Sequence, residues 1–152
     1  MDSKSMHYIL DTNILIHLIR GTPNVSSQLA VLDLPNHPVS ISIVTMGEML
    51  SFAQQNRWGI SKKADLELLF KTFRPITITK RALIDIYAEI DTFSQGRHPI
   101  KSLPVGKTAR NMGKNDLWIA ATTHLLNATL VTTDHDFDHL DPSFIQLHKI
   151  MV

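Results

Sequence analysis

Residues 114–138, KNDLWIAATTHLLNATLVTTDHDFD, constrain the fold more than any other stretch. They read as one helix, one tight turn and one buried strand, with carboxylates at both ends. Asn115 is a good helix N-cap, and Asp116 falls in the first turn. Leu117, Ala120, Ala121 and Leu125 recur at i, i+3, i+4 and i+8, the spacing of one apolar helix face. Asn127 suits a left-handed C-cap. Residues 129–132 are short, apolar at the centre and rich in β-branched side chains, which predicts a strand. Asp134, Asp136 and Asp138 come directly after it. A parallel strand delivers the residues after it to the carboxyl edge of the sheet, where open α/β folds place their sites. Taken singly, each acid also reads as a helix cap or a solvated loop residue.

The start of the chain repeats the pattern. Residues 7–10 form a short apolar strand ended by Asp11-Thr12-Asn13, and Ile14, Leu15, Leu18 and Ile19 begin a helix that stops at Gly21. A third apolar strand, 39–44, leads into Thr45-Met46-Gly47-Glu48 and another helix. Thr45 and Glu48 match a capping box, a purely structural use of that glutamate. Three strand ends thus carry acids, and a fourth acid opens the helix at Asp116.

Between these blocks the elements keep alternating. Residues 25–34 read as a helix with Leu29 and Leu32 inward. Ser61 caps a helix with Leu66, Leu69 and Phe70 inward. Residues 76–78 form a strand, Thr79 caps a helix over 80–94 that ends at Gly96, and 144–150 form a last strand. Residues 97–113, with two prolines and two glycines, read as a loop. Such alternation predicts an α/β fold with a mostly parallel central sheet flanked by helices. At 152 residues the chain is expected to form a single domain, 1–152, with a substantial core.

The 43% hydrophobic content lies in short runs, none long enough to span a bilayer, so no membrane partner is expected. The opening MDSKSMHYILDTN lacks the apolar core of a secretory leader, and cysteine is absent, which together suggest a cytoplasmic protein. A net charge of +1 does not by itself mark a nucleic-acid binder, but the charge is unevenly spread. Residues 92–115 hold no acid, while Arg97, Lys101, Lys107, Arg110 and Lys114 are basic. This segment, just before Asp116, suits a polyanion.

Clustered carboxylates repel, and a fold tolerates them when a cation neutralises them. Oxygen donors without thiolates select Mg²⁺ or Mn²⁺, which retain water and bind phosphates. The residues therefore point to a metal-dependent nuclease or phosphatase in which an activated water attacks phosphorus. A zinc site from His124, His135 and His139 is an alternative, since the last two stand at i and i+4. A haloacid-dehalogenase-type phosphatase also opens strand–Asp, but its motif is D-x-D and position 13 here is asparagine.

On four blocks the sequence resembles the PIN-domain ribonucleases, in particular the VapC-type toxins of toxin–antitoxin pairs. These are Ile9-Leu10-Asp11-Thr12-Asn13-Ile14, Thr45 with Glu48, Asn115-Asp116-Leu117-Trp118-Ile119-Ala120-Ala121, and Leu130-Val131-Thr132-Thr133-Asp134-His135-Asp136-Phe137. The resemblance spans nearly the whole chain. It implies a PIN-like three-layer fold with five strands and a Mg²⁺ site of Asp11, Glu48, Asp116 and Asp134. It gives Thr12, Asn13 and Thr132 as polar support. It further implies cleavage of single-stranded RNA, homodimerisation, and a VapB-like antitoxin whose C-terminal segment fills a groove. A catalytically silent PIN-like binding module is the remaining alternative. Lys101, Lys107, Arg110 and Lys114 are the expected RNA contacts. Met46, Met49, Leu50, Phe52 and Trp58, on the helices between Thr45 and Phe73, are expected to line the antitoxin groove.

Overall fold

The computed structural model describes residues 6–152; residues 1–5, part of the stretch read for a leader, lie outside the described residues. Five strands form one sheet: β1 (Tyr8–Leu10), β2 (Val39–Ser42), β3 (Arg74–Ile76), β4 (Thr129–Thr132) and β5 (Gln146–Lys149). Their order is β3-β2-β1-β4-β5, and every pairing is parallel. Pro75 sits in an edge strand, where its missing N–H costs the ladder nothing.

The two-residue repeat of the central strands divides the core. Tyr8, Leu10, Ile41 and Val131 face one layer, where they meet α1 (Thr12–Arg20), α2 (Pro23–Ala30), α3 (Ile43–Gln55) and α4 (Ile60–Thr72). Ile9 and Leu130 face the opposite layer, against α5 (Arg81–Ser94) and α6 (Lys114–Leu125). Ile9, Leu10, Ile41, Leu130 and Val131 are fully buried, each stabilising the fold by about 1.5–3 kcal/mol. The sequence expectation of a mostly parallel sheet between helices holds, and the sheet is wholly parallel.

α1 stops because Gly21 adopts φ 65° and returns its N–H to His17 and Leu18 carbonyls. A side chain there would add about 1–2 kcal/mol of left-handed strain. Asn127, with φ 49°, likewise turns the chain between α6 and β4.

Several helix starts differ from the sequence expectation. α3 is capped by Ser42, whose hydroxyl accepts Val44 N–H, so Thr45 lies inside the helix and the Thr45–Glu48 capping box does not form. The cap of α4 is Gly59 rather than Ser61, that of α5 is Lys80 rather than Thr79, and that of α6 is Gly113 rather than Asn115. Residues 25–34 split into α2 and a 3₁₀ turn, Leu34–Asn36. β3 runs earlier than expected, at Arg74–Ile76 rather than 76–78.

Candidate active site

β1 leads to β2 and β3 on one side, while β4 and β5 lie on the other. The direction of winding reverses between β1 and β4, and a parallel sheet opens a crevice at that reversal, beyond the strand carboxyl ends. Asp11 comes after β1 and Asp134 after β4. Glu48 reaches the crevice from the second turn of α3 and Asp116 from the first turn of α6. Asp11, Thr12, Asn13, Glu48, Asp116 and Asp134 line one cavity together with Ile16 and Phe52.

Three of the four acids, Asp11, Glu48 and Asp134, are held by neighbours. Asp11 Oδ1 accepts Thr12 N–H at 2.8 Å, and its Oδ2 accepts the Thr132 hydroxyl at 2.7 Å. Thr132 Oγ1 also accepts Asp134 N–H at 2.9 Å, so one buried hydroxyl links two acids. Thr12 donates its hydroxyl to Glu48 Oε1 at 2.8 Å, with Thr45 Oγ1 3.1 Å away. Asp134 Oδ1 accepts Asp136 N–H at 2.9 Å and caps a 3₁₀ turn, His135–Leu140. Asn13 stands exposed at the rim.

The charges crowd one another. Burial first, then Asp134 and Glu48, push the Asp11 carboxyl up to about 6, against the hydrogen bonds from Thr132 and Thr12. Burial, together with Asp11, Asp134, Glu48 and Asp136 in that order, pushes Asp116 up to about 7. Glu48 adds to the repulsion on both acids, and its carboxylate accepts from Thr12 rather than capping α3.

Sequence reasoning missed two contributors. Asp136 brings a carboxylate oxygen within 4.8 Å of oxygens from Asp116 and Asp134. The D-x-D spacing over Asp134 and Asp136 was the signal, because a 3₁₀ turn starting at Asp134 puts both at one end. Lys149 pairs with Thr132 in register and donates to Asp134 O at 2.7 Å and to the Asp138 carboxylate. Burial works to raise Asp138, but hydrogen bonds from Lys149 and His135 outweigh it and hold the carboxyl below its usual range. A lysine ending the last strand gives no sequence signal, since strand register is not legible there.

The basic stretch does not face the acids as one surface, contrary to expectation. Lys101 lies over the Phe144 ring at 4.3 Å and points to Ser143 O. Phe144 shares a cavity with His7 and Thr129, at the amino ends of β1 and β4, opposite the crevice. Arg110 instead approaches Asp136, with Nη1 3.8 Å from Oδ1. Lys114 is exposed at the start of α6, two residues before Asp116.

The histidines do not assemble. His124 Nδ1 pairs with Phe144 O, His139 Nε2 with Ser94 Oγ, and His135 with Asp138 and Lys149. Among the described residues, the group whose ligand atoms converge is Asp116, Asp134 and Asp136. All-oxygen donors of this kind fit a hard divalent cation, and an ion would relieve the repulsion that raises Asp11 and Asp116.

Most of the apolar residues expected to form a groove belong to the core. Met49 is fully buried, Trp58 is buried, and Met46 and Phe52 pack against them. Leu50, Ile60 and Leu68 are the exposed apolar side chains of this region. No helix among the described residues is long and apolar enough to cross a membrane.

Comparison with known proteins agrees with this geometry. Ribonuclease VapC1 of Haemophilus influenzae (strain R2866) is 30% identical over 129 residues, covering 84% of this chain and 86% of the relative. The structure of VapBC-1 from nontypeable Haemophilus influenzae matches with TM-score 0.73 at 25% identity, covering 95% of this chain and 98% of the other. VapBC2 from Rickettsia felis, solved bound to a promoter DNA fragment, has the same fold with TM-score 0.73 at 23% identity and the same coverage. The PIN domain family model matches residues 8–142. With four acids gathered at the switch point of a five-stranded parallel sheet and that match across most of its length, the chain belongs to the PIN domain family.

Proposed function

We propose that this chain is a Mg²⁺- or Mn²⁺-dependent endoribonuclease, the toxin of a toxin–antitoxin pair. The observation that carries this reading is the convergence of Asp116, Asp134 and Asp136 oxygens within 4.8 Å, beside Asp11 and Glu48 in the same crevice. Asp116, Asp134 and Asp136 would hold the ion, with Asp11 and Glu48 oriented by Thr132 and Thr12. A bound ion of this class supplies an activated water and neutralises charge on a phosphodiester. Burial and mutual repulsion push the Asp116 carboxyl up to about 7, and a bound cation would offset that repulsion and favour the ionised, ligating form. Arg110, 3.8 Å from Asp136, offers positive charge to the RNA backbone next to the acids. The VapC1 likeness supports RNA as substrate, and the VapBC-1 likeness supports a VapB-like antitoxin. The exposed Leu50, Ile60 and Leu68 mark the helical face such a partner would cover, and a homodimer in the cytoplasm fits the same reading.

The test is chelation and then metal add-back on a single-stranded RNA. Cleavage lost in EDTA and restored by Mg²⁺ or Mn²⁺ is expected. Restoration by Zn²⁺ alone, or no cleavage under any condition, would overturn the reading.

A further inference from the structure

Arg110 is fixed in space from two sides by one short segment of chain. Its backbone makes two hydrogen bonds to Ser94, the last residue of α5: Arg110 N–H donates to Ser94 O at 2.8 Å, and Ser94 Oγ donates to Arg110 O at 3.0 Å. Having given its proton to Arg110, the Ser94 hydroxyl must accept from His139 Nε2, 2.9 Å away. His139 lies in the same 3₁₀ turn as Asp136, and the Arg110 guanidinium reaches Asp136 O at 3.5 Å. The segment His135–Leu140 therefore holds the Arg110 backbone through His139 and Ser94, while the guanidinium only approaches Asp136. Gly96 lets the loop close onto this point: its φ is 73°, and a Cβ there would meet Ala109 Cβ at 3.3 Å.

Both clamping side chains are fully buried, yet His139 Nδ1 meets no hydrogen-bonding partner. An unpaired buried nitrogen costs stability, and an apolar residue beside Phe93 would avoid that cost. The guanidinium, by contrast, makes only long contacts, and one third of the side chain is exposed, so most of its donors remain open to a ligand. The buried polar atoms hold the arginine's backbone, and the arginine itself is left free at the acids.

We propose that Ser94 and His139 are positioning residues that hold Arg110 beside the acid cluster to receive a phosphate of the RNA. The role of Arg110 rests on the nuclease reading above; the clamp geometry does not. A displacement of about 1 Å at a contacting group is enough to lower rates on the order of a hundredfold.

The test is a double-mutant cycle between Ser94→Ala and Arg110→Ala, read by single-turnover cleavage and by RNA binding, with the melting temperature of each variant as a folding control. Each single change is expected to lower cleavage roughly ten- to hundredfold. The double variant should be no worse than Arg110→Ala alone, because the clamp has nothing left to hold. His139→Gln keeps an N–H donor near the Nε2 position and should retain activity; His139→Leu should not. If Ser94→Ala fails to fold, the His139 pair carries the test. Additive losses, a Ser94→Ala protein as active as wild type, or equal loss in both His139 variants would overturn the positioning role while leaving the nuclease reading intact. A wild-type protein that never cleaves RNA, but whose RNA binding shows the same non-additivity, would overturn the nuclease reading and leave the clamp standing.

Discussion

The hydroxyl of Thr132 donates to Asp11 Oδ2 at 2.7 Å, joining residues 121 positions apart. The same oxygen accepts Asp134 N–H, so β4 orients both the acid after its neighbour β1 and the acid after its own end. Thr132→Val keeps the shape and removes the hydroxyl. It leaves a buried carboxylate oxygen and an amide without partners, which should destabilise the protein by about 1–3 kcal/mol. Loss of such outer support typically weakens metal affinity roughly 10- to 100-fold. Titrating Mg²⁺ against cleavage measures this directly. An unchanged half-saturation would mean that Asp11 needs no orienting partner.

Asp116→Asn tests the acid with the most crowded surroundings. Four other carboxylates act on it, so removing its charge should leave the metal-free protein as stable as wild type or more so. Cleavage should fall by orders of magnitude, on the order of 100-fold or more. Mg²⁺ should raise the wild-type melting temperature, as any ligand of the folded state does, and should do little for the variant. If Asp116 only supported α6, Asn would be near neutral for stability, cleavage and metal response together. A variant cutting at the wild-type rate removes Asp116 from the site.

The raised carboxyls carry a pH signature. Asp11 and Asp116 move from 3.8 to about 6 and about 7 on folding. Their folded forms bind protons more tightly than the unfolded chain, so their contribution is complete below about pH 3.8 and is lost as pH rises through about 6 and 7. His139 works oppositely. Burial first, then the charges of Arg110 and Lys107, lower it from 6.5 to about 4, against the opposing pull of Asp138. Its contribution is present above pH 6.5 and lost as pH falls towards 4. Between about pH 7 and 8 the unfolded forms of His139 and His7, which burial also lowers, have largely lost their protons, so the acids outweigh them and the melting temperature in EDTA should fall across that range. Mg²⁺ should flatten the slope, and Asp116→Asn should reduce it. Parallel curves with and without Mg²⁺ would count against a shared ion site.

Legibility in the sequence was local. Asp11 and Asp134 each come after an apolar strand, and a strand's end is visible from its own residues. Parallel pairing then carries both to one edge. Helix starts were less legible, because polar side chains at Thr45, Ser61, Thr79 and Asn115 advertise caps, whereas the helices begin after Ser42, Gly59, Lys80 and Gly113. The capping-box pattern offered Glu48 a second, structural use, but its partner is Thr12 on another helix. Tertiary partners such as Lys149 with Asp134, or Lys101 with Phe144, depend on register and loop path, which short-range pattern does not encode.

Loop path is what divides the basic residues into two classes. Lys107 acts with Arg110 to lower His139, which shares its 3₁₀ turn with Asp136. Lys101 is committed to the Phe144 ring and Ser143 O, towards the other edge of the sheet. Single-stranded RNA releases counterions for each phosphate contacted, with a log–log salt slope of about 0.7 per contact. Lys107→Gln should therefore flatten the salt dependence of RNA binding by about 0.7, with little preference among sequences. Lys101→Gln should leave that slope alone and instead lower stability modestly, since an exposed cation–π contact contributes about 0.5–1 kcal/mol. Binding measured across a salt series for the two variants decides it. Equal flattening by both would put the RNA along the whole loop, and flattening by Lys101→Gln alone would route it past Phe144, away from Asp116.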